Sequence, residues 1–345
     1  MGNVVTTGRT EQGLSVVIPV YNAEPNLAEL ARQLVAELEK LGLGFEVILV
    51  DDGSSDASWH EIETICAADG RFRGIKLGRN YGQHNALLCG IRAAGRALIV
   101  TMDDDLQHPP SQIATLLTAL EQGYDVVYGV PDRRHNGLWR GLATALTKLA
   151  LRSAVGARNA HNVSAFRVFR TRLRESFAAY RSPFVSIDVL LSWGTSDFGA
   201  VVVRHDQRQR GVSNYTFGKL ATHAFNLMTG YSTKPLQLAS IIGFGLTLFG
   251  IFILIYVLGR LAITGDSVPG FPFLASIISI FSGAQLFALG IIGEYLARMH
   301  FRTMDRPAYV VARALDGSEP APAAGIDRIP APAHPAGDAA ALSRQ

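Results

Sequence analysis

The chain is poor in cysteine: only Cys66 and Cys89 occur in 345 residues. They share no metal-type spacing and form no CxxC, so both read as reduced, buried thiols, not zinc ligands or a disulfide framework. Charge of one sign is also lacking. A net charge of +3, with no dense Lys/Arg run interleaved with aromatics, argues against a nucleic-acid partner. No GxGxxG or Walker pattern follows the first apolar run, which argues against a dinucleotide enzyme and a P-loop NTPase. Residues 1–12 are polar and lack an apolar signal-peptide core, so the N-terminal unit is expected to stay in the cytoplasm.

Two stretches lack charge altogether. Pro235 to Gly259 and Ser267 to Gly293 are each long enough to cross a hydrocarbon core of about 30 Å. The link Arg260 to Gly270 is short, so the two spans form a hairpin with both long ends on one side. Lys234, Arg298, Arg302 and Arg306 flank that side and point to the cytoplasm; Arg260 alone sits at the far end. Leu220 to Tyr231 is expected as an amphipathic helix on the membrane surface, and Trp139 to Arg158 as a basic amphipathic helix, on the soluble domain or near anionic headgroups. Beyond about Leu315 the chain is Ala/Pro-rich and unpatterned, so disorder is expected.

What is present is an alternation of strands and helices. Apolar, β-branched runs at Leu14 to Val20, Phe45 to Val50, Gly74 to Leu77, Ala97 to Met102 and Asp125 to Val130 predict strands. Helices are expected from an Asn26 cap to about Leu41, from an Asp56 cap to Ala67, over Asn85 to Ala94 and over Ile113 to Glu121. Val163 to Phe169 and Ala200 to Arg204 read as further strands, with helical spacing over Phe184 to Trp193. The fold class is α/β with a mostly parallel sheet, and ligands in such sheets bind beyond the carboxyl ends of the strands.

Three polar clusters fall at those ends and are expected to converge: Pro19-Val20-Tyr21-Asn22, Asp51-Asp52-Gly53-Ser54 and Asp103-Asp104-Asp105. Three adjacent aspartates repel one another and must stay solvated or find a cation. Mg²⁺ takes one or two carboxylates and fills its other positions with water and phosphate oxygens. A solvated Asp-rich turn ahead of Pro109-Pro110 is the plainer alternative. Downstream, Arg208, Arg210 and Lys219 surround a Gly-Ser turn suited to a diphosphate, because arginine forks match phosphate oxygens.

These pieces resemble a family-2 glycosyltransferase of the polyprenyl-phosphate sugar transferase type. The matching runs are Val17 to Asn22, Val50 to Asp56, Arg79 to His84, Asp103 to Gln107, Arg208 to Tyr215, the two spans and Leu289 to Tyr295. The run Asn80 to His84 is closest to undecaprenyl-phosphate aminoarabinose transferases; undecaprenyl-phosphate glucose transferases and dolichyl-phosphate mannose synthases share the frame.

The resemblance implies a GT-A nucleotide-sugar-binding domain over residues 13–214, after a tail at 1–12. A membrane-surface helix at 215–234, spans at 235–262 and 270–297, a cytoplasmic segment at 298–314 and a disordered stretch at 315–345 follow. It places the donor on Pro19, Tyr21, Glu24, Val50, Asp52, Asp103, Asp104, Arg134, Arg208, Ser213 and Asn214. Asp103, Asp105 and Gln107 would hold Mg²⁺ or Mn²⁺; Asp103, Asp105, Arg134 and Arg208 would carry the chemistry. It further implies an inner-membrane, multi-pass protein with cytoplasmic termini, a UDP-sugar donor in preference to GDP, a polyprenyl-phosphate acceptor, and a homo-oligomer, with a tetramer possible.

Three departures from the family pattern stand out. Ala23 occupies a place where Glu is common, with Glu24 next to it; Ala165 stands where relatives carry Asp; Ser213-Asn214 replaces Ser-Lys. The Ala165 departure motivates the alternative of a membrane-anchored nucleotide-sugar-binding scaffold without catalysis. A processive polysaccharide synthase would need more spans and a Gln-x-x-Arg-Trp motif, and the chain has neither.

Overall fold

The structure, a computed structural model, describes residues 11–131, 163–206, 234–264, 270–304 and 306–315. Its centre is an eight-stranded sheet: β1 (Glu11–Val20), β2 (Phe45–Asp51), β3 (Phe72–Leu77), β4 (Arg96–Thr101), β5 (Val126–Pro131), β6 (Arg167–Arg170), β7 (Phe198–Val203) and β8 (Val311–Leu315). The order is β7-β5-β6-β4-β1-β2-β3-β8. β6 runs antiparallel to both its neighbours and β8 antiparallel to β3; every other pairing is parallel. The helices are α1 (Glu24–Lys40), α2 (Ser58–Ala68), α3 (Gln83–Ala93), α4 (Ile113–Leu120), α5 (Ile187–Gly194), α6 (Lys234–Thr264) and α7 (Phe271–Thr303).

The central strands β1 and β2 bury both faces, and their apolar runs are nearly continuous. Val16, Ile18, Val47, Leu49 and Val100 face α1, α2 and α4, where Leu27, Leu30, Leu34 and Leu38 supply the stripe of α1. Val17, Ile48, Val50 and Ile99 face the other way, onto α3 and α5. The sheet is thus sandwiched between two helical layers, and β1, β2 and β4 end together at one edge. Cys89 is buried in this interior, while Cys66 is only half-buried against it; burial pushes Cys66 up to about 11 and Cys89 up to about 12.

Several local expectations are corrected. Helix α1 starts at Glu24, with Ala23 and not Asn26 in the cap position and no cap from its own side chain. Its first donors are taken from across the fold: Ala23 N–H donates to Ser58 Oγ at 2.9 Å and Glu24 N–H to Asp56 Oδ2 at 3.3 Å. Helix α2 starts at Ser58 behind Ala57, two residues after Asp56, whose Oδ1 accepts from Ser58 N–H at 3.1 Å. β6 is shorter than Val163 to Phe169 suggested, and α5 starts at Ile187, not Phe184. β8 lies in a stretch where no strand was read; its residues are mostly exposed, so it has no burial pattern to betray it. The surface helices expected over Trp139 to Arg158 and Leu220 to Tyr231 lie outside the described residues.

Helices α6 and α7 contain windows, Leu236–Arg260 and Ile280–Ala297, long and apolar enough to cross a membrane. Their large apolar side chains, Phe252 and Ile263 among them, are exposed, unlike those of a buried core helix. Gly250 lets the two helices approach: a Cβ there would meet Phe281 Cζ at 3.2 Å.

A buried ion pair lies beneath the end of β4. Arg167 on β6 is buried and donates from Nη1 to Asp188 Oδ1 and from Nε to Thr101 Oγ1 at 3.1 Å. Tyr128 Oη donates to the same Asp188 oxygen at 3.0 Å. Removing one partner leaves the other charge in a low-dielectric interior. Asp188→Ala should cost about 3–5 kcal/mol of stability. The paired change Arg167→Met with Asp188→Leu should recover most of that loss, read by thermal unfolding in detergent.

Candidate active site

The site forms where β1, β2 and β4 end, because parallel strands in register deliver their next residues to one edge. Beyond β1, Tyr21 N–H donates to Asp104 Oδ2 at 3.2 Å and Asn22 N–H to Ser54 Oγ at 3.0 Å. Asn22 Oδ1 accepts from Ser55 N–H at 2.8 Å. These bonds join the three polar clusters into one crevice. Asn22 is held at φ 52° and Leu106 at φ 59°, both in the left-handed region. Such backbone is costly for a residue with a side chain and recurs at functional sites.

Asp51 and Asp52 are both buried. Asp52 is clamped by backbone: Tyr81 N–H reaches Oδ1 at 2.7 Å and Gly82 N–H reaches Oδ2 at 2.8 Å. Burial nevertheless raises its pKa, against the lowering effect of those two bonds. Asp51 Oδ1 accepts from Ser54 N–H at 3.0 Å, while its Oδ2 is buried without a partner among the described residues. Gly53 makes the approach of the 79–82 turn possible: it has φ +70°, and a Cβ would lie 2.5 Å from Arg79 C and 2.6 Å from Asn80 N.

The aspartate triplet follows Thr101 and Met102. Gln83, the first residue of α3, donates from Nε2 to Asp103 Oδ1 at 2.6 Å. Asp105 Oδ1 accepts from Gln107 N–H at 3.2 Å. Burial, opposed by the Tyr21 bond and reinforced by Asp103 and Asp105, pushes Asp104 up to about 7. A divalent cation would relieve that repulsion, and the donor set here is hard oxygen, the chemistry of Mg²⁺ or Mn²⁺. Among the described residues no three His, Cys, Asp or Glu side chains already form a cage. Two carboxylates and an amide oxygen suit an ion that takes its remaining ligands from a substrate phosphate.

The residues expected at the site are not all alike. Tyr21 is half-exposed at the lip, and Glu24 is exposed. Pro19 is buried beneath it, in register with Val50. Val50 turns its side chain into the core against α3, so its backbone alone faces the crevice. Arg134, Arg208, Ser213 and Asn214 lie outside the described residues. Ala165, in the place of the family's Asp, accepts through its carbonyl from Thr101 Oγ1 at 2.8 Å.

Sequence reasoning missed several neighbours. His108 stacks on Phe166 with ring centroids 5.2 Å apart and meets His205 edge-on at 4.9 Å. Burial pulls its pKa down to about 4, so the ring is neutral. Asp206 N–H donates to Gln107 O at 2.9 Å, tying the end of β7 to the aspartate loop. Gln83 lay inside a run noted only for its likeness to relatives; its place opening a helix beside Asp103 was the available signal.

Comparison with known proteins identifies the family. Residues 15–178 match the model of "Glycosyl transferase family 2". The undecaprenyl-phosphate 4-deoxy-4-formamido-L-arabinose transferase of Pseudomonas paraeruginosa is 35% identical over 318 residues, 91% of this chain and 94% of that protein. The protein of the same name from Shewanella sediminis is 36% identical over 307 residues, 88% of this chain and 93% of that one. Glucosyl-3-phosphoglycerate synthase from Mycobacterium tuberculosis, solved with Mn²⁺, UDP and glucosyl-3-phosphoglycerate, superposes with a TM-score of 0.47 at 18% identity, over 63% of this chain and 78% of that one. With a family domain spanning β1 to the segment after β6, and relatives matched across nearly all of both chains, the chain belongs to glycosyl transferase family 2 and is a glycosyltransferase.

Proposed function

We propose that the protein moves a sugar from a nucleotide diphosphate, UDP in preference to GDP, onto a polyprenyl phosphate at the cytoplasmic face of a membrane. The observation that carries this reading is the joining of the Asp51-Asp52 pair and the Asp103–Asp105 triplet in one crevice, on a domain continuous with two membrane-length apolar helices. The names of the relatives, undecaprenyl-phosphate sugar transferases, support the acceptor class.

On this reading Asp52, fixed by two backbone donors, holds the nucleoside, and Tyr21 covers it from the exposed lip. Asp103, Asp105 and Gln107 hold Mg²⁺ or Mn²⁺, which when bound supplies Lewis-acid stabilisation of the departing diphosphate. Gln83 keeps Asp103 turned toward the crevice. Arg134 and Arg208 are assigned to the diphosphate. The lipid phosphate attacks the anomeric carbon in line with the leaving group, inverting its configuration. An ionised phosphate is already nucleophilic at neutral pH, so Ala165 in the place of a carboxylate does not prevent transfer. The helix pair forms a hairpin in the inner membrane with both chain ends on the cytoplasmic side. Oligomerisation, as a tetramer or otherwise, is part of the same proposal.

A donor panel tests it. Purified protein with polyprenyl phosphate and Mg²⁺ or Mn²⁺ is given UDP- and GDP-sugars, UDP-4-deoxy-4-formamido-L-arabinose included. Mass spectrometry should find one sugar-phosphate-lipid, lost on chelation. Absence of product from every donor, with UDP still bound, would favour the non-catalytic scaffold.

Asp105→Ala should lower turnover at least a hundredfold while leaving the protein folded and membrane-bound; unchanged turnover would sink the metal assignment. Gly53→Ala forces a Cβ into the Arg79–Asn80 backbone at positive φ. It should cost about 1–3 kcal/mol of stability and weaken UDP binding, seen in thermal melts with and without UDP. The intact chain should stay with membranes after a carbonate wash, and its release there would remove the hairpin.

A further inference from the structure

A second recess lies beside the crevice, where the chain returns from α7 to the sheet. Its cavity of about 300 Å³ is lined by Arg79, Tyr81, Asn85, Pro183, Phe184 and Arg306, among others. That volume is at the lower end of the range for small-molecule sites. Two cations from distant parts of the chain meet here. Arg79 follows β3 and lies over the Tyr81 ring at 4.7 Å, and Arg306 comes three residues after α7 ends. Neither is ion-paired to a carboxylate among the described residues.

Asn85 supplies the second observation. It is 8% exposed, and its Nδ2 donates to Tyr81 O at 2.6 Å and Pro183 O at 3.3 Å. Those two bonds fix which end of the amide is oxygen. Oδ1 is buried with no partner among the described residues, and a buried acceptor left unpaired is costly. The recess is thus lined by two arginines, by an asparagine whose buried Oδ1 has no donor among the described residues, and by an apolar wall of Phe184 and Pro183.

We propose that this recess receives the phosphate head of the lipid acceptor, an inference that rests on the function proposed above. A phosphate monoester meets the set. Its anionic oxygens suit the guanidinium forks of Arg79 and Arg306, a singly protonated P–OH donates to Asn85 Oδ1, and its first hydrocarbon units lie on Phe184 and Pro183. The location suits a ligand arriving from a bilayer, because Arg306 comes three residues after a membrane-length helix. It also suits delivery to the donor. The turn that lines the recess gives its Tyr81 N–H to Asp52, and Gln83, two residues before Asn85, holds Asp103.

The full chain in detergent is titrated calorimetrically with farnesyl phosphate. The competitors are inorganic phosphate, farnesol and nanodiscs of phosphatidylglycerol. Wild type should bind farnesyl phosphate, and Arg79→Gln and Arg306→Gln should each weaken that binding about tenfold or more with an unchanged melting temperature. Farnesol should not compete, and inorganic phosphate should compete only weakly. Equal binding by the Arg79→Gln/Arg306→Gln double variant overturns the recess as the acceptor site and leaves the proposed reaction standing. Wild type that fails to bind farnesyl phosphate while binding UDP overturns the acceptor class itself. Free phosphate binding as tightly as farnesyl phosphate, or displacement by phosphatidylglycerol, overturns the assignment to a lipid monophosphate.

Discussion

Like-charge crowding at the ends of three parallel strands is the constraint on which this structure turns. The register of β1 with β2 and β4 brings Asp51, Asp52 and the Asp103–Asp105 triplet to one edge of the sheet. Five carboxylates there would repel one another unless something answered them. The answer is largely backbone: N–H groups of Tyr21, Ser54, Tyr81, Gly82 and Gln107 each point at one of these carboxylates. Backbone donors can be aimed only by bending the chain, and Asn22, Gly53, Gly82 and Leu106 all adopt positive φ around the crevice. Glycine does so freely; Asn22 and Leu106 hold strained backbone at the same edge. The rest of the electrostatic demand suits a cation; Asp104 is pushed up to about 7, by burial first and by its neighbours Asp103 and Asp105 in smaller part.

The buried Arg167 belongs to the same problem seen from below. Its Nε reaches Thr101, the last residue of β4 and two before Asp103. Arg167 is itself neutralised by Asp188 on α5. The β4 end is therefore fixed from beneath by a chain of hydrogen bonds through β6 and α5, and from above by Tyr21 and Gln83. Such a network specifies one arrangement of the strand end, at the cost of desolvating two charges.

Much of this was legible in the sequence because it is periodic or local. The β-branched runs gave five strands, the leucine spacing gave α1, and the carboxylates stood out at the ends of apolar runs. What was not legible depends on partners distant in sequence. The true caps of α1, Ser58 and Asp56, lie on the far side of β2, so Asn26 looked the better candidate. Arg167 looks like any basic residue on a short strand, and only its position between Thr101 and Asp188 buries it. β8 has neither alternation nor burial, and forms because β3 presents an open edge of backbone donors and acceptors to it. The stack of His108, Phe166 and His205 joins three separate segments and leaves no local trace.

That edge strand also bears on how a water-soluble donor meets a membrane-bound acceptor. Seven residues, 304 to 310, separate the end of α7 from the start of β8. Fully extended, they reach at most about 25 Å. The chain does not use that length freely. Ala308 is buried against the α3 and α5 face of the sheet, and Val310 O accepts from Gly78 N–H at 2.9 Å. The end of α7 is thus held close to the β3 side of the crevice, beside the turn that clamps Asp52. On the proposed function, the height of the donor site above the bilayer is set by this strap and not by a free linker. A lipid phosphate that leaves the bilayer at α7 then has a short path to the donor, so restricted geometry supplies part of what affinity would otherwise have to.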